Sequence, residues 1–127
     1  MVIDTNIVLR YLLRDNDAGF EEASKIFESG REVKITDLVI SEVLYVMRGV
    51  TYKKSRQQAA ESIRIALQNN NVINPSGTAK KYLELYMTTN LDLVDCYLIA
   101  SVLKSGEELK TFDKKMQKVY EQELANC

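Results

Sequence analysis

Strand and helix signals alternate along the whole chain. Short apolar segments that fit strands are followed by longer segments with apolar residues at helical spacing. This alternation is typical of an α/β domain with a mostly parallel sheet. The predicted strands are residues 1–3, 32–36, 72–73 and 108–112, and the predicted helices are residues 7–13, 18–29, 38–49, 55–68, 79–87, 92–105 and 114–125.

Polar residues before the apolar segments predict where several helices begin. We expect Asn6 and Asp37 to cap the helices that follow them, and Ser55 with Gln58 has the pattern of a capping box. The segment 92–105 is apolar on nearly all sides, so we expect it to be the most buried helix.

The size and composition of the chain predict one domain, residues 1–127, with a core of its own. Hydrophobic residues make up 46% of the sequence, and neither cysteine has the spacing of a zinc site or a disulfide framework. No window approaches the roughly 20 apolar residues of a membrane span. We expect no signal peptide and a soluble cytoplasmic protein with no membrane partner.

The chain contains no histidine. This excludes the commonest general base, the commonest transition-metal ligand and Ser-His or Cys-His nucleophile pairs. Hydrolytic chemistry would have to use carboxylates, whose oxygens suit Mg²⁺ or Mn²⁺ and not zinc. A net charge of −1 also argues against bulk electrostatic binding of nucleic acid.

Four acidic residues stand out by their position. Asp4 follows the first predicted strand and Asp113 the last, whereas Glu42 and Asp95 interrupt apolar helical segments. Ligands of open α/β sheets bind beyond the carboxyl ends of the strands, so side chains placed there favour a functional role. The sequence predicts that these four acids converge at one edge of the sheet.

Each acid also has an ordinary structural explanation. Asp4 and Asp113 could cap helices, and Glu42 could face solvent. Of Asp92 and Asp95, one could cap their helix while the other reaches back to its start or complements the helix dipole. Only their joint placement favours a shared site. Clustered carboxylates require protonation or a bound cation, and a divalent cation there would support phosphodiester hydrolysis.

The segments around these acids resemble a known family. They are Ile3-Asp4-Thr5-Asn6, the lone Glu42, Leu-Val-Asp95-Cys-Tyr-Leu-Ile-Ala and Thr111-Phe112-Asp113. In this order they are similar to the motifs of PIN-domain ribonucleases, particularly the small VapC-type toxins of prokaryotic toxin–antitoxin pairs. The resemblance implies a three-layer α/β/α fold with a short-stranded, mostly parallel sheet of four or five strands. It also implies Mg²⁺- or Mn²⁺-dependent RNA cleavage, homodimerisation and inhibition by a small antitoxin protein.

The resemblance also implies roles for individual residues. Asp4, Glu42, Asp95 and Asp113 would be the catalytic, metal-binding acids. Asn6 and Thr111 would hold these acids in place by hydrogen bonds. The sequence departs from the family pattern in two places. Its first strand is very short because it begins at Met1, and Cys96-Tyr97 stands where the family commonly has small residues.

The sequence gives only weak signals for surfaces that bind a partner. Arg10, Lys53, Lys54 and Arg56 are candidates for contacts with RNA phosphates, although most surface cations are simply solvated. Tyr45, Val46 and Tyr52 could form a groove for an antitoxin segment, and core packing would explain them equally well.

Two other classes of protein share parts of this pattern. A haloacid-dehalogenase-like phosphatase also begins with a strand that ends in Asp, but it requires a second Asp where Asn6 stands. A catalytically silent PIN-fold binding module, which acts through a protein partner, would keep the fold without using the acids.

Overall fold

Seven helices and a short parallel sheet make up the chain. The structure, a computed structural model, describes all residues from Met1 to Cys127, and these divide into two units, Met1–Gly77 and Thr78–Cys127. The first unit contains α1 (Thr5–Leu13), α2 (Asp17–Phe27), β1 (Val33–Lys34), α3 (Asp37–Arg48), α4 (Arg56–Ala66) and β2 (Val72–Ile73). The second contains α5 (Ala79–Thr88), α6 (Leu93–Ser105) and α7 (Lys114–Ala125). The assignment of residues 1–127 to one domain stays a prediction.

The sheet is smaller than the sequence predicts. β1 and β2 pair in parallel, and residues 1–3 add only an isolated parallel bridge between Val2 and Lys34. The amide of Lys34 donates to the carbonyl of Met1 at 2.7 Å. The first segment extends no further because Asp4 already caps α1.

The predicted strand at residues 108–112 is wrong, because this segment pairs with no other strand. The amide of Leu109 instead donates to the hydroxyl of Tyr120 at 3.4 Å. Glu108 and Lys110, which an extended segment places on the same side, form an ion pair with an O–N distance of 2.7 Å. The structure therefore does not confirm a sheet of four or five strands.

Two asparagines extend the hydrogen bonding around β2. Asn71, just before β2, donates from Nδ2 to the carbonyl of Phe27 at 2.8 Å. Asn74, just after β2, donates from Nδ2 to the carbonyl of Ile35 at 3.1 Å and to a carboxylate oxygen of Asp37 at 2.9 Å. Side chains thus provide bonds that further strand pairing would otherwise supply.

Helix starts follow the expected chemistry, with two corrections. Ser55 and Gln58 form the predicted capping box of α4. The side chain that caps α1 belongs to Asp4, not Asn6. Likewise Thr36 caps α3, and Asp37 is its first helical residue.

The expectation that α6 is the most buried helix is wrong. It buries Cys96, Ile99 and Ala100, whereas Val94 and Leu98 on its other side are exposed. Helix α5 has five buried residues and is covered more fully. In the first unit, the core is formed by the two strands and by the buried sides of α1, α2, α3 and α4.

We expect Asn74→Ala to destabilise the protein by about 1–3 kcal/mol, since the Ile35 carbonyl then loses a donor in a buried part of the fold. Urea denaturation measures the free energy of unfolding. Asn70→Ala, an exposed position in the preceding turn, is the matched control and should change this value little. Equal stability of the two variants would contradict the role assigned to Asn74.

Candidate functional site

Asp4 lies at the turn where the chain leaves the sheet and enters α1. Its Oδ1 accepts a hydrogen bond from the amide of Ile7 at 3.1 Å, so the capping explanation of this residue is correct. The other oxygen, Oδ2, forms no hydrogen bond with the protein, and the residue is exposed. Capping therefore fixes the carboxylate and leaves one oxygen open to a ligand.

Glu42 is connected to this turn by a residue with no role in the sequence predictions. Thr5, the first residue of α1, donates from Oγ1 to Oε2 of Glu42 at 3.2 Å. Glu42 is exposed on α3, and its Oε1 forms no hydrogen bond with the protein. The structure thus brings Glu42 to the Asp4 turn. No local pattern indicates this contact, because the two residues are 37 positions apart.

Asp113 repeats the arrangement of Asp4 in the second unit. Its Oδ1 accepts from the amide of Met116 at 3.0 Å and so caps α7, while Oδ2 stays free of hydrogen bonds with the protein. The hydroxyl of Thr111 accepts from the backbone amide of Asp113 at 3.0 Å. Thr111 therefore shapes the turn before α7 and forms no hydrogen bond with a carboxylate.

Asp95 lies in the first turn of α6 and is partly buried. Burial, together with the negative charges of Asp92 and Asp113, raises the pKa of Asp95 above its ordinary value. Asp92 occupies the N-cap position of α6, but its side chain makes no capping hydrogen bond. Its effect on Asp95 is electrostatic repulsion.

None of these acids forms an ion pair with a lysine or arginine. All the ion pairs of the chain involve other carboxylates. The open oxygens of Asp4, Glu42 and Asp113 are hard ligands of the kind that Mg²⁺ and Mn²⁺ prefer, so the residues fit such an ion chemically. The structure contains no group of three or more His, Cys, Asp or Glu side chains that could hold a metal ion.

The other predicted residues contribute less to the two acid-bearing turns. Asn6 is exposed and forms no hydrogen bond with Asp4 or Glu42. Among the candidate phosphate contacts, Arg10 lies 3.9 Å from a carboxylate oxygen of Asp15. Lys53 and Lys54 are exposed in the connector between α3 and α4, and Arg56 is the first residue of α4.

The family model of the PIN domain matches residues 1–122 of this chain. The chain therefore belongs to the PIN-domain family, a family of α/β proteins that are generally nucleases and generally use divalent metals. The comparisons with curated proteins and with solved structures give no match. No helix of the chain combines the length and the apolar composition of a membrane span.

The raised pKa of Asp95 predicts how Asp95→Asn changes the stability of the protein at different pH values. A carboxyl group whose pKa is higher in the folded state costs stability at pH values above that pKa, and the cost disappears below the unfolded value of about 3.9. In neutral buffer that contains a chelator, we expect the Asp95→Asn variant to melt at a higher temperature than the wild type. The difference should vanish as the pH falls below the unfolded value.

The matched control is Glu107→Gln, an exposed acid of the same unit that has no ion pair. Its melting temperature should follow that of the wild type at both pH values. A lower melting temperature for Asp95→Asn at neutral pH would show that the carboxylate is stabilising, contrary to the repulsion described above.

Proposed function

We propose that the chain is a divalent-metal-dependent endoribonuclease in which Asp4, Glu42, Asp95 and Asp113 are ligands of Mg²⁺ or Mn²⁺. One observation supports the proposal: in a member of a nuclease family, the hydrogen bond from Thr5 brings Glu42 to the turn of Asp4, and each of these two acids keeps one carboxylate oxygen without a partner in the protein. A bound divalent cation would offset the repulsion between carboxylates that lie close together.

The side chains of the protein would mainly position the reacting groups. Capping bonds hold Asp4 and Asp113 by one oxygen each, and the Thr5 hydroxyl holds Glu42 in the same way. Asp95, whose pKa is raised, gains most from a nearby positive charge. When bound, the metal would lower the pKa of a water molecule and neutralise charge on the attacked phosphate.

We further propose that the protein is the toxin of a type II toxin–antitoxin pair and works as a homodimer with a small antitoxin. The exposed side of α3 supports a protein partner, because Leu38 and Tyr45, each 82% exposed, flank Glu42 along the helix. An apolar peptide segment on this side would cover Glu42 and so inhibit cleavage. Co-expression with any small protein encoded next to this chain tests the pairing, and light scattering of the purified protein tests the dimer.

Asp4→Asn and Asp95→Asn are the variants that test the nuclease. Asparagine also caps helices well, so Asp4→Asn should keep α1 intact. Isothermal titration with Mn²⁺ should give binding heat with the wild type and none with the double variant. Cleavage of single-stranded RNA should require Mg²⁺ or Mn²⁺ and fall at least about a hundredfold in each single variant.

Glu107→Gln and Glu21→Gln remove acids outside the proposed ligand set, one in each unit, and should bind Mn²⁺ and cleave RNA as the wild type does. Absence of Mn²⁺ binding by the wild type, or equal binding by the double variant, would reject the nuclease. The remaining explanation would then be a PIN-fold binding module that acts through a protein partner.

Thr5 provides a separate test, because it would act only by positioning Glu42. We expect Thr5→Ala to weaken Mn²⁺ binding by about 10- to 100-fold, and Thr5→Ser, which keeps the hydroxyl, to restore it. Isothermal titration measures the affinity, and thermal melting shows that both variants are folded. Equal affinities of the alanine and serine variants would contradict the role of the hydroxyl.

A further inference from the structure

A cleft of about 220 Å³ lies between α1 and α2, and it begins at the helix turn that Asp4 caps. Its walls are apolar and are formed by Ile7, Ala23 and Ile26. The polar residues that line it are Asn6, Arg10 and Glu22. Apolar walls with a few polar groups are the usual anatomy of a small-ligand site.

The side chain of Arg10 lies close to Asp15 and Gly19. Its guanidinium lies 3.9 Å from Asp15, and the hydroxyl of Tyr52 donates to the other carboxylate oxygen of Asp15 at 2.8 Å. Gly19 of α2 leaves room for the side chain, since a Cβ there would lie 2.9 Å from Cδ of Arg10. A larger residue at position 19 would therefore require the side chain of Arg10 to move.

The polar groups of the cleft are complementary to a nucleobase more than to a phosphate. Arg10 only donates hydrogen bonds, the Glu22 carboxylate only accepts them and the Asn6 amide does both. Asn6 and Glu22 have no hydrogen bond or ion pair with the protein. The Glu22 carboxylate would repel a phosphate, whereas the flat apolar faces of a base fit the walls.

Among the bases, guanine matches this donor and acceptor set best. Its O6 and N7 accept two hydrogen bonds from one arginine, and its N1–H and N2–H groups can donate to one carboxylate. Adenine has no such pair of adjacent donors. The cleft is smaller than the roughly 300–1,000 Å³ of sites for drug-sized ligands, so it suits a single base and not a whole nucleotide.

We propose that this cleft binds a guanine base of the RNA substrate, close to the phosphodiester that is cleaved. The proposal rests on the proposed ribonuclease function, because it assigns the base to a nucleotide next to the Asp4 turn. Arg10, Glu22 and Asn6 are then residues that determine sequence specificity.

The test is binding of short fluorescein-labelled uridine RNAs that carry one guanosine, adenosine or cytidine, measured by fluorescence anisotropy in EDTA. We expect the wild-type protein to bind the guanosine RNA about tenfold more tightly than the others. Arg10→Lys keeps the positive charge but loses the paired donors, and Glu22→Gln loses one of two acceptor oxygens. Both should reduce the preference to about twofold or less.

Arg14→Lys and Glu21→Gln are the matched controls, since each changes the same residue type outside the cleft: Arg14 directly follows α1, and Glu21 lies on α2. Both should keep the tenfold preference. Equal binding of the RNAs by the wild type, no binding at all, or an unchanged preference in Arg10→Lys would overturn the proposal.

Cleavage assays with metal separate this inference from the proposed function. A guanosine preference in EDTA without any metal-dependent cleavage would reject the nuclease and keep the base site. Metal-dependent cleavage that neither depends on guanosine nor changes in Arg10→Lys would reject the base site and keep the nuclease.

Discussion

Helix N-termini require hydrogen-bond acceptors, and this requirement fixes the positions of two of the candidate acids. The first amides of a helix have no acceptor within the helix, and the helix dipole stabilises negative charge there. Asp4 meets this need for α1 and Asp113 meets it for α7, each with one carboxylate oxygen. The capping role therefore does not compete with a ligand role, because the same hydrogen bond that fixes the carboxylate leaves its second oxygen free.

The two units support their acids by different physical means. In the first, the hydroxyl of Thr5 provides a neutral hydrogen bond to Glu42. In the second, Asp95 receives no hydrogen bond, and its burial together with two neighbouring carboxylates favours its protonated form. The second unit is thus where a cation would change the electrostatics most.

A sheet of two short strands is held by more than its own hydrogen bonds. Asn71 and Asn74 bond to backbone carbonyls on either side of β1, and the bridge formed by Val2 adds a third parallel segment. Parallel sheets require covering elements on their faces. Here buried side chains of α3 and α4 share the core with Val33. Backbone hydrogen bonds between residues 1–3 and Lys34 tie the Asp4 turn to this covered sheet.

The sequence alone determined the helices, the α/β class and the identity of the candidate acids. Apolar periodicity and helix capping depend on residues that are close together in the sequence, as the capping box of Ser55 and Gln58 illustrates. Tertiary structure alone decided the contact of Thr5 with Glu42, the unpaired segment at residues 108–112 and the exposed side of α6. These features depend on which distant segment packs against a residue, and a local pattern of apolar and polar side chains carries no information about that neighbour.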